Sequence, residues 1–196
     1  MSAGSGLHAR LRAETAAAHE ALERDLDWEA RVATLPGYRD LLARFHGFHA
    51  AYEPAIAEAL GDPGFLDERR RLDPLASDLR HLGLDAVSIE SLPQAAPPGL
   101  DGTASALGSL YVLEGSTLGG QVIGRRIAAL HGLDEIAGCA YYRGRGARAG
   151  ALWASFRDRL DALTGEAEAE AASRAANATF EAMRVWLCRP VASAAA

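Results

Sequence analysis

The sequence predicts an all-α, single-domain helical bundle. Three observations carry that prediction. Alanine recurs along the chain while β-branched residues are sparse, a balance that favours helix over sheet. Apolar residues return at three- and four-residue spacing through long segments. Glycine and proline gather between those segments. The 196 residues suffice for one domain with a substantial core, and a hydrophobic content of 49% fits a globular chain.

The first helix starts after Ser5, a plausible N-cap, and runs to about Asp25. Leu7, Leu11, Ala18, Leu22 and Leu26 form its buried face. Pro36-Gly37 is a break, and a second long helix follows from Tyr38 to about Leu60, kinked at Pro54. Asp62-Pro63-Gly64 is a turn. Shorter helices cover Phe65 to Arg70 and Pro74 to Leu82. The stretch from Leu92 to Gly102 carries three prolines and two glycines and reads as a loop between two halves of one domain. A long helix spans about Thr103 to His131. A loop rich in arginine and glycine runs from Tyr141 to Gly150. Two last helices cover Ala151 to Leu163 and Glu166 to Leu187. The expectation is six to eight helices in one domain over residues 1–196, with flexible ends at 1–5 and 189–196.

Composition narrows the function classes. The net charge of −6 argues against a diffuse nucleic-acid footprint, and every one of the 20 basic residues is arginine. Cys139 and Cys188 are not in a metal spacing, so neither a disulfide framework nor a zinc site is indicated. Residues Met1 to Gly6 lack a basic region followed by an apolar one, and no apolar run is long enough to span a bilayer. A cytoplasmic protein, monomeric or weakly dimeric, is expected.

The segment Tyr111 to Gly124 is the most informative. Glycines recur there and just before it, at Gly108, Gly115, Gly119, Gly120 and Gly124, although each costs about 1 kcal/mol against alanine in a helix interior. Gly108, Gly115 and Gly119 fall in one narrow stripe of the helical wheel. Such a stripe lets a flat ligand, or another backbone, come very close.

His19 lies at the edge of the apolar face of the first helix, where a side chain can point into a space between helices. Neutral imidazole is a common iron ligand, and haem iron is often held by one histidine. A half-buried surface histidine would fit the same position, so spacing alone does not decide. Arg12 lies seven residues earlier, nearly on the same wheel angle and about 10.5 Å along the axis. That is the scale on which a porphyrin separates its iron from its propionates, and a guanidinium there can pair with a carboxylate. Glu23, four residues after His19, can orient the ring nitrogen that does not bind metal. Solvated side chains are the alternatives at both positions.

Together these residues resemble a known family. Leu11 to His19, continuing to Glu23, resembles the proximal-helix signature of haem oxygenases. Tyr111 to Ile123, with Gly115, Gly119, Gly120 and Gln121, resembles their distal helix. Phe156-Arg157-Asp158-Arg159-Leu160 is similar to the family's C-terminal pocket segment, and Asn177-Ala178-Thr179-Phe180 to the start of its last helix. The order is right and the matches span most of the chain. The bacterial, biliverdin-producing branch, including the oxygenases paired with bacteriophytochromes, is the most similar.

The resemblance implies haem b as both cofactor and substrate, with O2 and with electrons from a ferredoxin or reductase. His19 would be the axial iron ligand. Gly115 and Gly119 would lie against the opposite haem face, and Arg12, Tyr111 and Arg157 would hold the propionates. Phe180 would belong to the pocket. Many members carry an aspartate just after the first distal glycine, where it organises a water on the oxygen side of the haem; this chain has Ser116. A hydroxyl can donate and accept but carries no charge. His49, on the second long helix, is the candidate substitute, with Arg80 a weaker one. A bacteriophytochrome is a candidate acceptor of the biliverdin.

Three rivals stand beside this reading. A haem-sequestering protein of the same fold would bind haem without turnover, and Ser116 is its best support. Another enzyme on the same architecture would need a nucleophilic cysteine in context or paired Glu-x-x-His sets, and neither is present in the sequence. A purely structural module leaves the glycine stripe, His19 and Arg157 as separate coincidences. The arginines at Arg143, Arg145 and Arg148 read as a solvated loop.

Overall fold

A computed structural model describes residues 6–134 and 136–189; at 116–119 and 121 it describes the backbone path only. Ser5 and the predicted flexible ends thus lie outside the described residues, apart from Arg189, whose guanidinium sits over the Trp186 ring. The described residues form eleven α-helices and one short 3-10 turn, with no strand among them. In order these are α1 (Leu7–Glu14), α2 (Ala16–Leu26), α3 (Trp28–Val32), α4 (Leu35–Leu60), α5 (Pro63–Asp67), α6 (Leu72–His81), α7 (Ala86–Glu90), α8 (Gly102–His131), α9 (Ala140–Arg143), the 3-10 turn Gly146–Arg148, α10 (Ala149–Asp161) and α11 (Glu166–Leu187).

The count exceeds the expected six to eight because the first predicted helix is interrupted and three short helices, α3, α7 and α9, form where none was expected. The first helix is broken at Thr15, whose φ and ψ are −102° and −1°. Its buried hydroxyl donates to the Leu11 carbonyl at 2.7 Å, and such back-bonding by threonine bends helices. The backbone bonds Thr15 N–H to Leu11 O and His19 N–H to Thr15 O persist at 2.9 Å, so α1 and α2 remain nearly end to end. Asp27 follows in the left-handed region at φ 43°, turning the chain into α3.

Pro36-Gly37 does not interrupt the chain; it lies in the first turn of α4. Thr34 is the N-cap, its hydroxyl accepting from the Gly37 N–H at 3.2 Å. Proline suits that first turn because its missing N–H would have no helical partner there. The helix then runs past Pro54 without a break in its assignment. Asp62 caps α5 by accepting from the Phe65 N–H, which starts that helix at Pro63 rather than Phe65.

The core is built on α8. It packs most extensively on α11 and next on α4, and Ala106, Leu107, Leu110, Val112 and Leu113 supply buried apolar surface. Tyr38, Leu41, Leu42 and Phe48 answer from α4, and Ala172, Ala176, Phe180 and Met183 from α11. α11 also packs on α2 and α1, while α10 closes one end against α1 and α8. Among the described residues, no helix is long and apolar enough to cross a membrane.

Candidate haem site

Because α11 carries both α8 and the α1–α2 segment, it braces a space between them. That space is a cavity of about 600 Å³. His8, Arg12, Thr15 and His19 line it from the α1–α2 side, Tyr111 and Gly115 from α8, Trp153 from α10, and Phe180 and Met183 from α11.

His19 is held in orientation yet left open. Its side chain is 52% exposed, with Nδ1 standing 3.6 Å from the Glu23 carboxylate. Its ring meets Phe180 edge to face, with centroids 5.5 Å apart. Glu23 thus attends one ring nitrogen, the arrangement that orients a metal-binding imidazole through its other nitrogen.

The glycines of α8 divide by what they face. A Cβ built on Gly115 meets no atom within 4 Å, so the bare backbone opens onto the cavity. A Cβ on Gly108 would lie 2.0 Å from the Ala172 carbonyl oxygen. There the missing side chain admits the α11 backbone, not a ligand. Gly120 and Gly124 face Tyr142, where a Cβ would come within 3.4 and 3.2 Å of it. Gly108 and Gly115, two members of the predicted stripe, therefore serve different purposes, because a helix this central presents different turns to different neighbours.

At the end of the cavity away from His19, Arg12 is exposed and Tyr111 half-buried, and both line the wall. The donors of this end suit carboxylates: a guanidinium and a phenol hydroxyl. An open imidazole at His19, a bare backbone wall and a cationic end match a flat, iron-bearing dicarboxylate.

The sequence matches the family described as Heme oxygenase over residues 5–189. A heme oxygenase of Xanthomonas campestris pv. campestris is 31% identical over 160 residues, covering 78% of this chain and 92% of that protein. The chain belongs to the haem oxygenase family. Its fold is similar to that of solved haem oxygenases. The NO- and CO-bound enzyme of Neisseria meningitidis has a TM-score of 0.70 and 21% identity, with 94% of this chain and 91% of that chain covered. The Leptospira interrogans heme oxygenase has a TM-score of 0.72 and 17% identity, covering 93% and 98%.

With the family established, the remaining expected site residues can be placed. Arg157 is exposed and does not line the main cavity; it lines a neighbouring one with Gly6, His8 and Asp161. Ser116 and Gly119 lie on α8, but their surroundings fall outside the described residues. His49 is buried and lies behind α8 rather than on the cavity wall. Its Nδ1 lies 3.0 Å from Glu53 Oε1 and its Nε2 lies 3.3 Å from the Tyr141 hydroxyl. Arg80 is exposed.

Sequence reasoning missed the buried charged group to which His49 belongs. Glu53 Oε1 also accepts from the Arg71 N–H at 2.7 Å, and the Arg71 guanidinium donates to the Tyr141 carbonyl. Asp78 accepts from the N–H groups of Ala140 and Tyr141, each at 2.8 Å. Arg145 was expected to be solvated with its loop. It is 7% exposed instead and pairs at 3.3 Å with Glu114, which is 5% exposed. Burial lowers the Arg145 pKa to about 10, with Glu114 opposing the shift. Burial also raises the Glu114 pKa, against the pull of Arg145, Arg69 and Arg71. The arginine stays charged near neutrality, and Glu114 directly precedes Gly115, so this pair braces the cavity wall from behind. The available signal was Glu114 itself, a lone carboxylate in the apolar run Val112-Leu113-Glu114. His8 and Trp153 were missed as well, each exactly one helical step of four before a residue that the sequence did single out, Arg12 and Arg157.

Proposed function

We propose that this chain binds haem in the α1–α2/α8 cavity and cleaves it, with O2 and external electrons, to biliverdin, carbon monoxide and ferrous iron. The observation that carries the reading is the placement of His19 and the open Gly115 backbone on walls of one cavity with Arg12 and Tyr111 at its end. The bound haem supplies the iron that activates O2 and the ring that is oxidised.

The chain's residues then have separable tasks. His19 holds the iron as a neutral imidazole, and a neutral ligand lacks the electronic push by which a thiolate favours O–O cleavage. Glu23 fixes its ring. Arg12 and Tyr111 hold carboxylates at the cavity end, and Arg157 adds cationic charge from the neighbouring cavity. Phe180 packs against His19 and forms part of the wall. Gly115 and Gly119 would bring bare backbone against one face of the haem and narrow the space on that side. The Ser116 hydroxyl, next to Gly115 in the sequence, would relay protons on this side of the cavity. His49 acts from behind the wall, through Glu53 and Tyr141, as a positioning residue. The electron donor is a ferredoxin or reductase, the setting is cytoplasmic, and a bacteriophytochrome is a fitting acceptor of the product. Residues 5–189 act as one domain, as monomer or weak dimer.

Titration of purified apoprotein with hemin tests the site. Wild type should form a one-to-one complex with a Soret band. His19→Ala should lose the low-energy features of histidine ligation, and added imidazole should restore them. Spectra identical in wild type and His19→Ala would remove His19 as the ligand.

A further inference from the structure

His8 has no task in the scheme above, yet it occupies a singular place. It lies in the first turn of α1 and lines both the main cavity and the neighbouring one that contains Arg157. Its ring is held edge-on by Trp153, with centroids 5.4 Å apart, and by Tyr111 at 6.1 Å. Two aromatic neighbours from different helices leave the imidazole little rotational choice.

The charges around it are equally specific. Burial lowers its pKa, the guanidiniums of Arg157 and then Arg12 lower it further, and Asp161 opposes them. Burial and the two arginines thus favour the neutral form of His8, and one of these arginines lines each cavity. An imidazole N–H flanked by guanidiniums is a donor set for carboxylate oxygens. A ligand with two carboxylates on one edge can reach Arg12 with the first and, across His8, Arg157 with the second.

We propose that His8 is a specificity-determining residue that bridges the two cavities, binds the substrate carboxylate nearer Arg157 and fixes the in-plane rotation of the haem. A flat ligand tethered at one central point, its iron on His19, is free to turn about that bond until an off-centre contact stops it. The stopping contact decides which ring edge meets α8 at Gly115, and hence which bilin isomer forms. The proposal rests on the haem-cleaving reading.

The test compares wild type, His8→Ala and His8→Gln, each checked for helix content by circular dichroism. Each apoprotein is titrated with hemin and with hemin dimethyl ester, whose carboxylates are masked. His8→Ala should bind hemin about tenfold more weakly and the ester within about twofold of wild type. His8→Gln keeps an N–H donor and should recover most of the hemin affinity. Turnover by His8→Ala should give mixed bilin isomers where wild type gives one. Equal weakening for hemin and ester would reduce His8 to wall packing and overturn the proposal, as would unchanged hemin affinity with a single isomer. A wild type that binds the ester as tightly as hemin would also overturn it, with haem binding itself intact. A wild type that binds neither would sink the haem reading instead.

Discussion

A methyl group placed on Gly108 would sit 2.0 Å from the Ala172 carbonyl oxygen, whereas one on Gly115 meets nothing within 4 Å. The same substitution therefore has opposite consequences at two positions of one helix. Gly108→Ala gains about 1 kcal/mol of helix propensity but must force α8 and α11 apart. Overpacking a filled site costs about 1–3 kcal/mol, and against backbone the upper end applies, so urea unfolding should show a net loss of about 1–2 kcal/mol. Gly115→Val should leave the urea midpoint near wild type and weaken hemin binding at least about tenfold, because its side chain occupies the cavity. Retention of full hemin affinity in Gly115→Val would show that the haem face lies elsewhere. The sequence revealed that these glycines were costly and lay in one stripe. It could not assign them, since only the packing of α11 tells a helix crossing from a ligand wall.

The long elements were legible because their apolar spacing is sustained. α8 and α11 begin and end within a residue of expectation. Breaks and short helices were less so: the bend at Thr15 depends on one side-chain hydrogen bond, and α3 and α7 are five residues each. The loop after α8 was read as solvated from its arginines and glycines, yet Arg145 turns inward. Its guanidinium donates to the carbonyls of Glu68 and Arg69 as well as pairing with Glu114. This loop therefore buttresses α8 next to Gly115. Arg145→Ala would remove a buried cation from beside Glu114 together with the donors to the Glu68 and Arg69 carbonyls, a loss of about 3 kcal/mol. Thermal unfolding should register that loss, and the double variant Arg145→Met with Glu114→Leu should regain much of it. An Arg145→Ala protein as stable as wild type would mean that the pair carries no structural load.

At the scale of the whole molecule, protonation couples site and stability. His8 and His46 both titrate below the ordinary 6.5, His8 through burial, Arg157 and Arg12, and His46 through burial and His49. In the unfolded chain these imidazoles take up protons as pH falls through 6.5, while in the folded chain they resist until lower pH. The unfolded state then binds more protons, so their contribution to stability falls as pH drops from 6.5 toward the folded values. Replacing both by glutamine should flatten the fall in Tm between pH 7.5 and 5.5, and an unchanged slope would locate that sensitivity in other groups.

The assembly of the site is likewise a property of the whole chain. Helical spacing and the family resemblance together singled out His19 and Arg12, and the distal glycines stood out by their cost. Arg157 and His8 come together only through packing across more than a hundred residues of sequence, and the charged group behind α8 through contacts between separate helices and loops, which no local pattern encodes. The braced cavity, in the proposed function, holds haem for cleavage. The most direct test of this claim is single turnover of the hemin complex with a reductant and air, followed by absorbance and product isolation. Loss of the Soret band with appearance of biliverdin and carbon monoxide is the predicted result. A stable hemin complex that yields neither product would make the chain a haem-binding protein without turnover and contradict the claim.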